Sequence, residues 1–357
     1  MSSFVNIDGD INFFYEDSGT DGLDPSDYTT MVLIHGLGFN GAVFRKLFPF
    51  GPSHNYRIVS LYRRGYAPSS PWTEEEVALF SSSDLEDGKK FIRLAGLQIT
   101  RFLLGFAASQ GIPKYDKEKK TGGIVLNGWS LGTFYSQAVL SVLDSLTTEE
   151  LGQLETYLWA ILYYDPPTPP FGMPPPSHAQ AQSVQWFHLA TVSERWEAFK
   201  KWCTNYYVHP NPHSHDLADL NFNEPDEDSP ASLSGLPEDE LEQMSSLEMF
   251  AAHDQSPFTI NPEAFRFATR QALFNVGMAR YLPKVKIRII CGTKGLGLFI
   301  FFVNEMERAL KDPSSVFGED AERAREFKVV RLDRGNHFVF WDEPNWALDQ
   351  FIACLED

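Results

Sequence analysis

The chain has 357 residues, enough for one large α/β domain with an insertion or for two domains. Its 43% hydrophobic and 22% charged residues suit a globular protein with a buried core. Lys and Arg number 30 against 48 Asp and Glu, a net charge of −18 that argues against a nucleic-acid surface and gives no reason to expect anionic lipid. Three widely spaced cysteines, Cys203, Cys291 and Cys354, are not a disulfide framework and point to a reducing compartment.

In chain order, residues 3–8 and 11–17 form an antiparallel pair turning at Asp8-Gly9. The start, MSSFVNIDGD, lacks the basic and apolar regions of a signal peptide. Thr30 to Ile34 is a continuous apolar strand ending in His35-Gly36-Leu37-Gly38, and Arg57 to Leu61 is a second, leading into Arg63-Arg64-Gly65-Tyr66-Ala67-Pro68-Ser69. Asp84 caps a long helix to about Ser109, with Phe91, Leu94, Ala95, Phe102 and Phe106 on its apolar face. Gly122 to Gly132, GGIVLNGWSLG, follows, then a helix over Thr133–Leu146. Leu158 to Tyr164 is another buried strand, ending at Asp165-Pro166-Pro167. Strands alternating with helices mean a parallel sheet covered on both faces.

After Pro166 the pattern changes. A proline-rich stretch precedes helices over 179–207, 238–252 and 261–281, with a Pro, Asp, Ser and His-rich loop over 209–237. His209, His213 and His215 in that loop read as solvated rather than as a metal cluster. The sheet resumes with Val285 to Ile290, a helix over 298–310, a strand over Phe327–Leu332, and a closing helix from Asn345. The expected organisation is a first core part at 1–165, a helical cap at 166–283 and a second core part at 284–357. The nearest apolar run to a membrane span, Gly295–Val303, is far too short. The C-terminus, Leu355-Glu356-Asp357, is not a peroxisomal address. A cytoplasmic protein without membrane attachment is the expectation.

The chemistry centres on Gly128-Trp129-Ser130-Leu131-Gly132. Strand, G-x-S-x-G and helix make a nucleophile elbow, in which small flanking residues allow a sharp turn that exposes the serine hydroxyl. Ser130 needs a base, and His337 in Gly335-Asn336-His337 follows the final strand. Asp165, ending the strand after the elbow, is the carboxylate expected to orient the imidazole. Asp333, Asp342 and an unpaired Ser–His dyad are its rivals. The N–H groups of Leu37 and Leu131 are placed to form an oxyanion hole. No metal and no organic cofactor is required.

The order Ser, Asp, His, with HGLGF upstream and RRGYAPSS, GWSLG and GNH in sequence, resembles the α/β-hydrolase superfamily over about residues 9–356. The resemblance implies an eight-stranded, mostly parallel sheet with a helical cap after strand six and a Ser130–Asp165–His337 triad. Two departures stand out. Cys291-Gly292-Thr293-Lys294-Gly295 carries no acid after strand seven, and the Asp that commonly opens the strand-four motif is replaced around Tyr62-Arg63-Arg64. A strand-six acid with Tyr-Asp-Pro-Pro looks like fungal toxin-biosynthesis hydrolases, mycophenolic-acid-type acyl-CoA hydrolases and, more distantly, zearalenone lactonases.

A serine nucleophile rather than an aspartate excludes dehalogenase and epoxide-hydrolase chemistry, which needs an alkyl-enzyme ester. Acyl transfer to water is the expectation. The aromatic cap favours a bulky apolar or aromatic ester or lactone, polyketide-like in character, with Trp129, Trp186, Phe187, Trp202 and Tyr206 as candidate contacts and Phe265, Phe267 and Phe274 adding to the cap. An acyl-CoA thioester of secondary metabolism is the alternative within the class. A hydrolase-fold ligand receptor and a lyase using His337 as base are the rivals outside it.

Overall fold

The computed structural model describes residues 1–177, 185–252, 254 and 259–356. Eight strands form a single sheet: β1 Ser2–Asp8, β2 Ile11–Asp17, β3 Thr29–Ile34, β4 Tyr56–Leu61, β5 Ile124–Trp129, β6 Leu158–Tyr164, β7 Lys286–Gly292 and β8 Phe327–Leu332. Their order is β1-β2-β4-β3-β5-β6-β7-β8. β1 and β2 pair antiparallel, as do β2 and β4, and β4 through β8 run parallel. The first hairpin turns at Gly9-Asp10, one residue later than the sequence suggests, and its register slips between Asn6 and Asp8.

Every residue of β3, β4, β5 and β6 is buried, which explains their mostly apolar sequences, with Arg57, Ser60 and Asn127 among the buried polar exceptions. Successive residues of β6 face opposite layers, as the two-residue strand period requires. Tyr163 packs on Phe171 with ring centroids 5.9 Å apart, while Tyr164 packs on Phe351 of the closing helix at 5.3 Å. The first layer holds helices Leu85–Gln110, Gly132–Ser141 and Pro262–Leu273. The second holds the 3₁₀ segment Gly41–Phe50 and helix Pro344–Glu356.

Among the described residues, helix Leu85–Gln110, rather than Gly295–Val303, is the stretch long and apolar enough to cross a bilayer. Its most apolar window is 67% buried in the protein, so its apolar residues are spent on the core. Helices Glu74–Ser81 and Thr148–Tyr157 are among those that apolar periodicity does not reveal, and both start with capping boxes, Thr73 with Glu76 and Thr147 with Glu150.

The connection from β6 to β7 contributes no strand to the sheet among the described residues. The helix expected over 179–207 is shorter. Residues 178–184 lie outside the described ones, and Val192–Thr204 starts at the Thr191–Glu194 capping box. The helix expected over 261–281 is broken at Phe274-Asn275, where Asn275 caps a new turn, Val276–Ala279. Helix Pro262–Leu273 packs on the core helices rather than on the strand ends. Phe265 meets Phe134 at 5.4 Å, and Gln137 Nε2 donates to Thr269 Oγ1 at 2.9 Å.

Candidate active site

Ser130 sits between β5 and helix Gly132–Ser141 at φ 54, a left-handed conformation that costs a non-glycine residue on the order of 1–3 kcal/mol and persists only where its surroundings enforce it. Glycines on three sides make the turn possible. A Cβ on Gly128 would lie 2.6 Å from the Gly132 carbonyl oxygen, one on Gly132 would lie 2.1 Å from that of Ile34, and one on Gly36 would lie 2.8 Å from Ser130 Cβ. The Ser130 N–H still donates to Tyr164 O at 2.9 Å, so the serine remains tied to β6.

Asp165 follows β6 and is also left-handed, at φ 49. Its N–H donates to Ile290 O at 2.8 Å, and its Oδ1 accepts from the Gly292 N–H at 3.0 Å. Oδ2 lies 2.9 Å from His337 Nδ1. Complete burial pushes the carboxyl up from its ordinary value, and the imidazole and the Gly292 N–H pull it back toward the ionised form.

His337 follows β8 and is almost completely buried. The bond to Asp165 places the ring proton on Nδ1 and leaves Nε2 without one, able to accept a proton. Its face stacks on Phe299, with centroids 4.4 Å apart and planes 18° apart. The Trp129 indole lies against it at 4.9 Å and donates Nε1–H to the His337 carbonyl at 3.0 Å. The preceding residue is anchored to the β6–β7 connection, since Asn336 Nδ2 donates to Thr204 O at 3.2 Å and Ser232 Oγ at 2.7 Å. Among the described residues, Ser130 Oγ has no hydrogen-bond partner. Such bonds commonly tighten only when substrate is bound.

The Leu37 and Leu131 N–H groups, expected to form the oxyanion hole, have no acceptor among the described residues. Leu131 follows Ser130 directly, and Leu37 follows Gly36, where an added Cβ would lie 2.8 Å from that of Ser130. The sequence profile of the alpha/beta hydrolase family matches residues 31–349.

The chain belongs to the alpha/beta hydrolase family.

Solved structures agree at the level of fold. A serine hydrolase from the polyaromatic-hydrocarbon-degrading bacterium Cycloclasticus zankles superposes with a TM-score of 0.54 at 13% identity, over 100% of this chain and 99% of that one. An esterase from Exiguobacterium antarcticum gives 0.52 at 12% identity over 100% of both chains. Potato epoxide hydrolase I gives 0.50 at 15% identity, covering 100% and 99%. The comparison with curated proteins returns no match.

The candidate substrate contacts that the structure describes are each engaged in packing or in a hydrogen bond of their own. Trp129 is committed to His337 and is walled in by Phe39, Phe44, Phe338 and Phe340. Trp186 is buried against Phe199, Trp202 and Phe250. Trp202 Nε1 donates to Phe222 O at 3.4 Å, and the Tyr206 hydroxyl donates to Asp342 Oδ2 at 2.6 Å. The Phe187 side chain lies outside the described residues. The aromatic stripes of this connection pack ring against ring, as side chains with this much apolar area do. Phe274 packs on Phe317 and Phe327, and Phe267 faces solvent.

Asp342 is occupied by Tyr206 and by Ser232 Oγ at 2.5 Å, and Asp333 is exposed beside His213. His209 is buried, contrary to the solvated reading. Its Nε2 meets Gly295 O at 2.9 Å and its Nδ1 accepts from the Asn221 N–H at 2.9 Å. Burial lowers its pKa. Sequence reasoning missed Phe299, and it missed Arg63 and Asp254 beside the His35–Gly38 loop. The replaced strand-four motif was the available signal for Arg63.

Proposed function

We propose that this hydrolase cleaves an ester or lactone of a bulky apolar or aromatic, polyketide-like acid through an acyl-enzyme on Ser130. Ser130 Oγ attacks the carbonyl carbon while its proton passes to His337 Nε2. Asp165 holds Nδ1–H and balances the imidazolium. The N–H groups of Leu37 and Leu131 receive the oxyanion. The proton then goes to the leaving alcohol, and water activated by His337 releases the acid. The observation carrying this reading is the 2.9 Å contact between Asp165 Oδ2 and His337 Nδ1 at the strand ends that flank the left-handed Ser130.

The apolar preference is supported by the surroundings of the loop and the imidazole. Gly38 is covered by Trp196 and Phe250, and His337 by Phe299. The guanidinium nearest the loop, Arg63, is already paired with Asp254 at 3.0 Å. A charged acyl group would find no counter-ion among these groups. The β6–β7 connection is read as a lid on the same grounds, since Trp196, Met249 and Phe250 press on Gly38 and Gly65. A CoA thioester is disfavoured because the groove rich in lysine, lined by Lys114, Lys117, Lys119 and Lys284, opens where β6 and β7 begin, at the sheet edge opposite Ser130.

The test is labelling with a serine-directed fluorophosphonate, followed by turnover of aromatic and acetate esters. Wild type should label once per chain, and Ser130→Ala should neither label nor turn over, with kcat lower by about 10⁴-fold or more. Labelling that survives in Ser130→Ala would move the nucleophile elsewhere. A single slow turnover with a retained adduct would instead favour a ligand receptor.

A further inference from the structure

We infer that Arg63 and Asp254 are positioning residues that aim the Leu37 N–H at Ser130, so that the oxyanion hole is complete only while Asp254 is paired with Arg63. The inference rests on the serine-hydrolase reading above and adds to it two residues which that reading does not use.

The argument starts from the planarity of the peptide bond. In a trans peptide, the carbonyl of one residue and the N–H of the next point in opposite directions. Fixing the Gly36 carbonyl therefore fixes the direction of the Leu37 N–H. The Gly36 oxygen accepts from Arg63 Nη2 at 2.8 Å. The peptide on the other side of Leu37 is held as well, because the Gly38 N–H donates to Asp254 Oδ2 at 2.7 Å. Gly38 O in turn accepts from the Ser246 N–H at 2.8 Å. Both peptide planes flanking Leu37 are pinned, and its own N–H is left without an acceptor among the described residues, next to a glycine where an added Cβ would lie 2.8 Å from that of Ser130.

The two anchors meet. Arg63 Nη2 lies 3.0 Å from Asp254 Oδ1 and 3.2 Å from Oδ2, and both side chains are 2% exposed. Tyr66 donates its hydroxyl to Asp254 Oδ2, and Arg63 Nη1 donates to the Tyr135 hydroxyl at 3.2 Å. His35 completes the frame, its Nε2 accepting from the Arg63 N–H at 3.0 Å. Arg63 follows β4 in the sheet, whereas Asp254 belongs to the β6–β7 connection. A buried ion pair is a poor way to stabilise a fold, since apolar residues of similar volume often do as well or better. What an apolar pair cannot do is grip Gly36 O and Gly38 N–H.

That difference gives the test. In Arg63→Met/Asp254→Leu both charges go together, so no buried charge is left unpaired, and the melting temperature should fall only by what the lost hydrogen bonds to Gly36 O and Gly38 N–H cost. Fluorophosphonate should still label one serine per chain at completion, but more slowly. On an aromatic p-nitrophenyl ester, kcat should fall about 10²- to 10³-fold, the loss seen when one oxyanion donor is removed. KM should stay within about threefold, as expected for an interaction made only in the transition state. Arg63→Lys keeps a charge opposite Asp254 without the planar fork and should lose at least about tenfold in kcat. It decides the matter should the double variant not fold. Wild-type kcat in either folded variant overturns the inference, as does a loss of kcat matched by a loss of labelled sites. Absence of Ser130 labelling in wild type would instead remove the serine-hydrolase reading itself.

Discussion

Trp129, the residue before the candidate nucleophile, donates its indole N–H to the backbone carbonyl of His337 across 3.0 Å. Trp129 thereby ties the backbone of His337 to the motif that turns the chain at Ser130. Trp129→Phe keeps a ring against Phe39, Phe338 and Phe340 but leaves that buried carbonyl short of a donor. A loss of about 1–3 kcal/mol in stability is expected from urea unfolding. The accompanying fall in kcat should exceed any change in KM, because the imidazole rather than the substrate pocket is released.

Asp165→Asn preserves shape but removes the charge that fixes the Nδ1–H tautomer. Steady-state kinetics on an activated ester should give a kcat lower by roughly 10³- to 10⁴-fold. Asp333→Asn and Asp342→Asn should each stay within about tenfold of wild type, because Asp342 is engaged by Tyr206 and Ser232 and Asp333 faces solvent. Near-full activity in Asp165→Asn, with loss in either of the others, would move the acid onto the histidine loop.

Two glycines should respond in opposite directions to alanine. At Gly132 the new methyl would meet Ile34 O at 2.1 Å, a backbone contact that cannot yield without moving β3 from the elbow. Gly132→Ala should lose labelling and unfold at lower urea. Gly152 lies in helix Thr148–Tyr157 with nothing within 4 Å of an added Cβ. Gly152→Ala should gain about 0.5–1 kcal/mol from helix propensity and from the narrowed unfolded ensemble.

Glu16 predicts part of the acid limb of stability. Burial pushes its carboxyl up, but hydrogen bonds from Arg45 and Tyr62 outweigh burial and hold it below its ordinary value of 4.5. A carboxylate with a depressed folded pKa stabilises fully above the unfolded value, and that stability is lost as pH falls through the folded one. Melting temperature against pH should therefore fall below about pH 4.5 in wild type. Glu16→Gln should start lower and show a shallower acid slope. An identical slope would assign the acid limb to other carboxylates.

The sequence by itself determined the architecture and the placement of Ser130, Asp165 and His337 at strand ends. Continuous apolar runs such as Thr30 to Ile34 and Leu158 to Tyr164 can be satisfied only inside a sheet covered on both faces, and G-x-S-x-G between strand and helix permits one local geometry. Capping boxes at Thr73, Thr147 and Thr191 are equally local signals, which a reading by apolar periodicity passes over. Tertiary structure alone decided which rings pack on one another, that Trp129 serves His337, and that Arg63 meets Asp254 across 191 positions of chain. It also decided that His209 is buried while its neighbours in the same loop are not. The physical reason is range. Backbone conformation and strand burial follow from patterns within about ten residues, whereas the partner of a buried charge or an aromatic ring is chosen by whichever distant segment the fold brings against it.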